Sequence, residues 1–92
     1  MTNETKYQVA SGVMARDVGE EVVLLHLASG AYFGLDPVGA RIWTLIGEGK
    51  TFAQICEMIA QEFDATHAQI EQDLQALTRQ LTEQKLIFLQ QG

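Results

Sequence analysis

The sequence lacks several features that would point to a disulfide-stabilised or membrane protein. Its 92 residues contain a single cysteine, Cys56, which excludes an internal disulfide and cannot form a zinc site alone. No apolar run approaches the about 20 residues that span a bilayer. Residues 1–6 are polar, which predicts neither a signal peptide nor an anchor. We therefore expect a cytoplasmic protein without a membrane partner.

Basic residues are also scarce. The sequence has six Lys and Arg residues and twelve Asp and Glu residues, so the net charge is −6. Nucleic-acid backbones and anionic membranes attract positive surfaces, because binding them depends on neutralising negative charge. The charge balance therefore predicts no nucleic-acid partner.

The residues that catalysis needs are few and badly spaced. The serines, Ser11 and Ser29, lie in predicted strand and turn regions without an evident histidine base. Residues 47–51 (GEGKT) lack the spacing and the preceding strand of a phosphate-binding loop. Two histidines and one cysteine show no metal-ligand spacing, and Cys56 falls on an apolar helical stripe, where a buried inert thiol is the default. We expect no enzyme, metal site or cofactor.

The first third of the chain has the pattern of β-strands. Residues 7–17 predict a strand or a broken pair with Gly12 as a bulge, and residues 21–27 are a β-branched and aliphatic run typical of a strand. Gly30 supplies the positive φ that a three-residue hairpin loop needs. Residues 31–35 then predict a third, returning strand.

Three helix starts follow. Asp36 precedes Pro37, and Thr51 and Thr66 each precede a Gln three residues later, as in a capping box. The first helix is predicted to end near residue 46 and the last near residue 84, without a glycine to end it, while residues 86–89 suit a terminal strand or an ordered tail. One domain over residues 1–92 is predicted, an α+β fold with a small antiparallel sheet and three helices.

Residues 27–43 (LASGAYFGLDPVGARIW) resemble the pyrroloquinoline quinone biosynthesis protein D (PqqD-like) family, whose members are also called RiPP recognition elements. The most specific parts are GAYFGL at residues 30–35 and VGARIW at residues 38–43. The resemblance extends over most of the chain, to residue 87. It implies a winged helix-turn-helix-like fold in which a three-stranded antiparallel sheet is followed by three helices.

The resemblance also implies a function. A family member is a non-catalytic peptide chaperone that binds the leader of a ribosomally made precursor peptide and presents it to a separate maturation enzyme, such as a radical SAM enzyme or a peptidase. The leader adds as a strand beside the third strand and against the last helix. Carried onto this chain, the implied peptide-binding residues are Ala31, Tyr32, Phe33, Gly34, Leu35, Asp73, Leu77 and Gln80. The pathway would make a quinone cofactor (PQQ biosynthesis) or another peptide product, such as a lasso peptide.

The residue pattern supports the implied binding site on one point. In a simple meander, residues 31–35 form an edge strand without the lysine, proline or inward charge that usually protects an edge. Such an edge suits recognition by strand addition, and it could also pair with a second copy in a homodimer. Asp73 is either an anchor for the peptide or a solvated helical charge. One of Tyr32 and Phe33 is expected to face the core.

Two other functions fit the predicted fold. A winged-helix DNA-binding regulator would need a basic recognition helix, whereas residues 66–85 carry Arg79 and Lys85 against three acidic residues, Glu71, Asp73 and Glu83. The other alternative is a structural scaffold subunit of a biosynthetic complex. Charge disfavours the regulator, and the open edge favours the peptide-binding adaptor.

Overall fold

The computed structural model describes residues 4–90, so residues 1–3 of the predicted polar start and residues 91–92 lie outside the described part. The described residues form an α+β fold in which β-strands precede three helices and a short strand ends the chain. In order, the elements are β1 (Tyr7–Val9), β2 (Val13–Val18), β3 (Glu21–His26), β4 (Tyr32–Leu35), α1 (Pro37–Gly47), α2 (Phe52–Glu62), α3 (His67–Glu83) and β5 (Ile87–Leu89). No described helix is long and apolar enough to cross a membrane.

The strands form two separate antiparallel sheets. The larger sheet is the expected meander, in the order β2, β3, β4, and β3 is therefore its central strand. The second sheet pairs β1 with β5, placing Tyr7 opposite Leu89. The predicted first strand is thus a broken pair, and its second half alone joins the meander.

Gly12 does not form the expected bulge. It lies in the turn between β1 and β2 with φ of +81°, a conformation that L-residues with a side chain rarely adopt. The turn transfers the chain from one sheet to the other, and a bulge would have kept both halves in one ladder. Gly30, with φ of +76°, has the positive φ predicted for the β3–β4 hairpin.

The helix starts follow the sequence signals. The Asp36 carboxylate accepts a hydrogen bond of 2.7 Å from the Gly39 N–H. At α2 the capping box is complete, since Thr51 and Gln54 each accept a bond from the other's backbone N–H. Thr66 caps α3 through the Gln69 N–H alone, because the expected capping box lacks its second bond and the Gln69 amide instead donates to Asp73. These caps satisfy N–H groups that have no partner inside the helix.

A single core lies between the larger sheet, the helices and β5. Its fully buried side chains come from nearly every element, including Leu24 of β3, Leu45 of α1 and Leu74 of α3. Trp43 is half-buried and packs against this core. The helices α1 and α2 are also joined at the surface, where the Arg41 guanidinium donates two hydrogen bonds, of 2.8 and 3.0 Å, to the Glu62 carboxylate.

The end of α3 is built around a lysine in a left-handed conformation. Lys85 has φ of +62°, its N–H bonds to the Thr82 carbonyl, and the Leu86 N–H bonds to the Leu81 carbonyl. This is the Schellman pattern, in which glycine usually occupies the left-handed position that Lys85 holds here. Leu81 and Leu86 are both fully buried, so their burial holds Lys85 in place.

We expect Lys85→Gly to stabilise the protein. The left-handed conformation costs a residue with a Cβ about 1–2 kcal/mol, and the greater backbone entropy of unfolded glycine offsets part of that gain. The free energy of unfolding, measured by urea denaturation, should therefore rise by about 0.5–1 kcal/mol. The matched control is Gln84→Gly, since Gln84 has φ of −84° and should lose stability. A less stable Lys85→Gly protein would contradict this account of the helix end.

Candidate functional site

A groove opens between β4 and α3, with α1 as its floor. Its volume is about 580 Å³. Phe33, Val38 and Leu77 are half-buried in it, and Leu35 and Ile42 lie beneath them. The exposed rim consists of Glu21, Gly34, Asp36, Asp73 and Gln80. The groove therefore has an apolar base and a polar, acidic rim.

The outer edge of β4 offers backbone hydrogen-bonding groups to this groove. The His26 N–H donates to the Ala31 carbonyl across the hairpin, and the register then pairs Leu25 with Tyr32, Leu24 with Phe33 and Val23 with Gly34. Hydrogen-bonded and non-bonded pairs alternate along an antiparallel ladder. The N–H and C=O groups of Tyr32 and Gly34 consequently point away from β3, towards the open edge.

The two edges of the larger sheet differ in protection. The edge strand β2 carries Arg16 and Asp17, charged residues of the kind that discourage pairing with another chain. The strand β4 reads YFGL and has neither charge nor proline. Gly34 has open space where a Cβ would stand, so another backbone can approach closely. The β4 edge is the one suited to accept a strand.

Side chains alternate across β4 and thereby define its two faces. Phe33 and Leu35 point inward, towards the groove and the core. Tyr32 points to the opposite, outer face of the sheet and is 76 % exposed. Phe33, and not Tyr32, is therefore the aromatic side chain that lines the groove.

Six of the residues expected from the sequence line the groove together: Phe33, Gly34, Leu35, Asp73, Leu77 and Gln80. The last three lie four and three residues apart on α3 and so share one helix face. Ala31 and Tyr32 do not line it. Ala31 precedes β4 and its carbonyl is already bonded to His26, while the backbone N–H and C=O of Tyr32 lie on the open edge of β4.

The sequence pattern did not reveal the other lining residues. Val38 and Ile42 belong to α1, and Asp36 was expected only at the start of this helix. Glu21 enters the site through register, because Val22 pairs with Leu35 in the last pair of the ladder and Glu21 lies just beyond it. Register depends on contacts between strands, and the hairpin loop length was the signal that could have supplied it.

Asp73 is fixed by a neighbour on its own helix. Its Oδ1 atom accepts a hydrogen bond of 2.9 Å from the Gln69 amide, one turn earlier. The side chain is exposed at the rim, and its second carboxylate oxygen has no such bond to a described residue. Asp73 is thus held in position while it can still accept a hydrogen bond.

Within residues 4–90, no group of three or more His, Cys, Asp or Glu side chains is placed to bind a metal ion. Cys56 is buried in the core, on α2. Burial raises the pKa of its thiol, and the negative charge of Glu71 raises the pKa further. A raised pKa keeps the thiol protonated and unreactive near neutral pH.

We expect Cys56 to react with Ellman's reagent only through unfolding. In the native protein at pH 7 the labelling should be slow, and it should accelerate with urea as the unfolded fraction grows. In guanidinium chloride one thiol per chain should react at once. Immediate stoichiometric labelling of the native protein would show instead that the thiol is accessible.

The fold and the groove together define a small α+β domain of the winged helix-turn-helix type, with one unprotected strand beside a groove. The chain belongs to the family of coenzyme PQQ synthesis protein D (PqqD), whose profile matches residues 21–87. No curated protein matches the sequence.

Two solved structures are similar to the chain. The structure "TbiB1 in Complex with the TbiA(beta) Leader Peptide" is 40% identical in sequence, with a TM-score of 0.80 over 87% of this chain and 93% of that one. The structure "Lasso peptide synthetase B1 complexed with the leader peptide" is 22% identical, with a TM-score of 0.82 over 90% of this chain and 98% of that one. The second likeness concerns the fold alone.

Proposed function

We propose that the protein is a non-catalytic adaptor, a RiPP recognition element, that binds the leader of a ribosomally made precursor peptide. The leader adds as a strand to β4 and lies in the groove against α3. A separate maturation enzyme then receives the precursor. Family membership supports this function, as does the 40% identical relative, whose structure contains a leader peptide.

One observation carries the proposal: the outward backbone groups of Tyr32 and Gly34 lie on the open edge of β4, the strand that borders an apolar groove. A peptide strand on this edge would form up to four backbone hydrogen bonds with those two residues, independent of its sequence. Its alternate side chains would point into the groove, where Phe33 and Leu77 offer apolar contacts. Backbone pairing supplies affinity, and the groove supplies selectivity.

The precursor peptide, and not this chain, determines which biosynthetic pathway the protein serves. The 40% identical relative is bound to the TbiA(beta) leader peptide. We propose a peptide natural product, such as a lasso peptide, as the first pathway to test, with quinone cofactor synthesis second.

A titration followed by NMR tests the adaptor function. Isotope-labelled protein is titrated with synthetic leader peptides from precursor genes that neighbour its own, and with the TbiA(beta) leader. The largest amide shifts are expected at Tyr32–Leu35 and along residues 73–80. Shifts confined to β2 would place the peptide on the other edge, and no shift with any of these peptides would overturn the proposal.

A further inference from the structure

We infer that the groove selects leaders with a Lys or Arg side chain two residues from an apolar side chain, both on the groove face of the added strand. The inference rests on the proposed function, because it concerns the peptide bound at the same site. It comes from the distribution of charge around the groove.

Three carboxylates border the groove, from three different elements. Glu21 begins β3, Asp36 precedes α1, and Asp73 lies on α3. None of the described residues that line the groove is basic. Glu21 forms no ion pair with any residue in the described range, where the ion pair found is Arg41 with Glu62. The rim is therefore negative and has no cation of its own.

Each carboxylate is available to a bound side chain. Asp36 and Asp73 each use one oxygen, for the Gly39 N–H and the Gln69 amide respectively, and each retains a second oxygen. All three residues are exposed, so a peptide ammonium or guanidinium can reach them without being buried. A positive side chain placed there gains attraction at little desolvation cost.

The strand geometry sets the spacing. Successive side chains of an added strand point to opposite faces, so residues i and i+2 both enter the groove. Phe33, Val38 and Leu77 form its apolar base, with the carboxylates beside them. One inward side chain is therefore expected to be apolar and a neighbouring inward side chain to be basic. The intervening residue faces outward, beside Tyr32.

A peptide-display selection tests this pattern. A library of random 12-residue peptides is selected on the wild-type protein and on the triple variant Glu21→Gln, Asp36→Asn, Asp73→Asn. Asparagine caps a helix as well as aspartate does, so α1 should be retained. The matched control is Glu57→Gln, Glu71→Gln, Glu83→Gln, which changes the net charge equally but outside the groove.

Peptides from the wild-type selection should be enriched in Lys or Arg two residues from an apolar residue, and the control variant should give the same enrichment. The groove variant should lose the preference for the basic residue. Enriched peptides, resynthesised and titrated, should bind the groove variant about tenfold more weakly, since their basic side chain loses its attraction to the three exposed carboxylates. Replacing the peptide Lys by norleucine should weaken binding to wild type but not to the groove variant.

The outcomes separate the two proposals. The charge rule is wrong if the selection enriches peptides that shift β4 resonances but have no basic residue at this spacing. The adaptor function would then still stand. Equal loss of affinity in the groove and control variants would also overturn it, because the effect would then come from net charge. If no peptide enriches and no neighbouring leader binds, both proposals are wrong.

Discussion

Gly34→Pro is expected to raise the Kd for the leader about 100-fold or more, without unfolding the protein. The Gly34 N–H points away from β3, so proline removes no hydrogen bond from the sheet, and edge strands accept proline at such positions. On the open side, the proline ring replaces the donor and holds another backbone away. A leader carbonyl left without its partner costs about 1–3 kcal/mol, and the steric conflict adds to that cost.

The measurement is fluorescence anisotropy with a labelled leader peptide, alongside a thermal melt followed by circular dichroism. Ala15→Pro is the matched control, because the same alternation along β2 directs the Ala15 N–H away from β3. The Ala15→Pro protein should have the same melting temperature as Gly34→Pro and the same Kd for the leader peptide as wild type. Unchanged affinity in a folded Gly34→Pro protein would rule out strand addition at β4.

Leu74→Ala is expected to remove a large part of the protein's stability. Leu74 is fully buried on α3, at the centre of the core. Truncation of a buried leucine to alanine costs about 2–5 kcal/mol, depending on how far the cavity collapses. Domains of this size have about 5–14 kcal/mol in total. The midpoint of urea unfolding should fall accordingly, with little change in the slope.

Leu77→Ala provides the comparison within the same helix. Leu77 lies three residues later, is half-buried, and lines the groove. Its truncation should cost clearly less stability than that of Leu74 and weaken leader binding instead. Equal destabilisation by the two substitutions would show that Leu77 belongs to the core, and unchanged binding by Leu77→Ala would remove it from the site.

Local signals in the sequence were sufficient to predict much of the fold. The caps at Asp36, Thr51 and Thr66 act within a few residues of themselves, and the structure shows each of them. The Gly30 turn likewise depends on one backbone conformation. The family resemblance confirmed by the profile match supplied the remaining topology.

Features that depend on distant contacts were not predictable. The pairing of β1 with β5 joins residues about eighty positions apart, and each strand is too short to signal its partner. Lys85 adopts a left-handed conformation because tertiary burial of Leu81 and Leu86 outweighs its local preference. Glu21 reached the groove rim through strand register. The groove charge pattern therefore emerged only once the elements were assembled.

The pairing of Tyr7 with Leu89 brings the first and last described strands side by side. Both residues border a depression on the flank of α3 that bears Thr78 and Thr82, whereas the leader groove lies along the flank with Asp73 and Leu77. Because the described strands nearest the two ends both border this depression, we expect a polypeptide joined to either end to leave the groove beside Asp73 and Leu77 open. The domain could then be attached to an enzyme, a fluorescent protein or a solid support without covering the proposed peptide site.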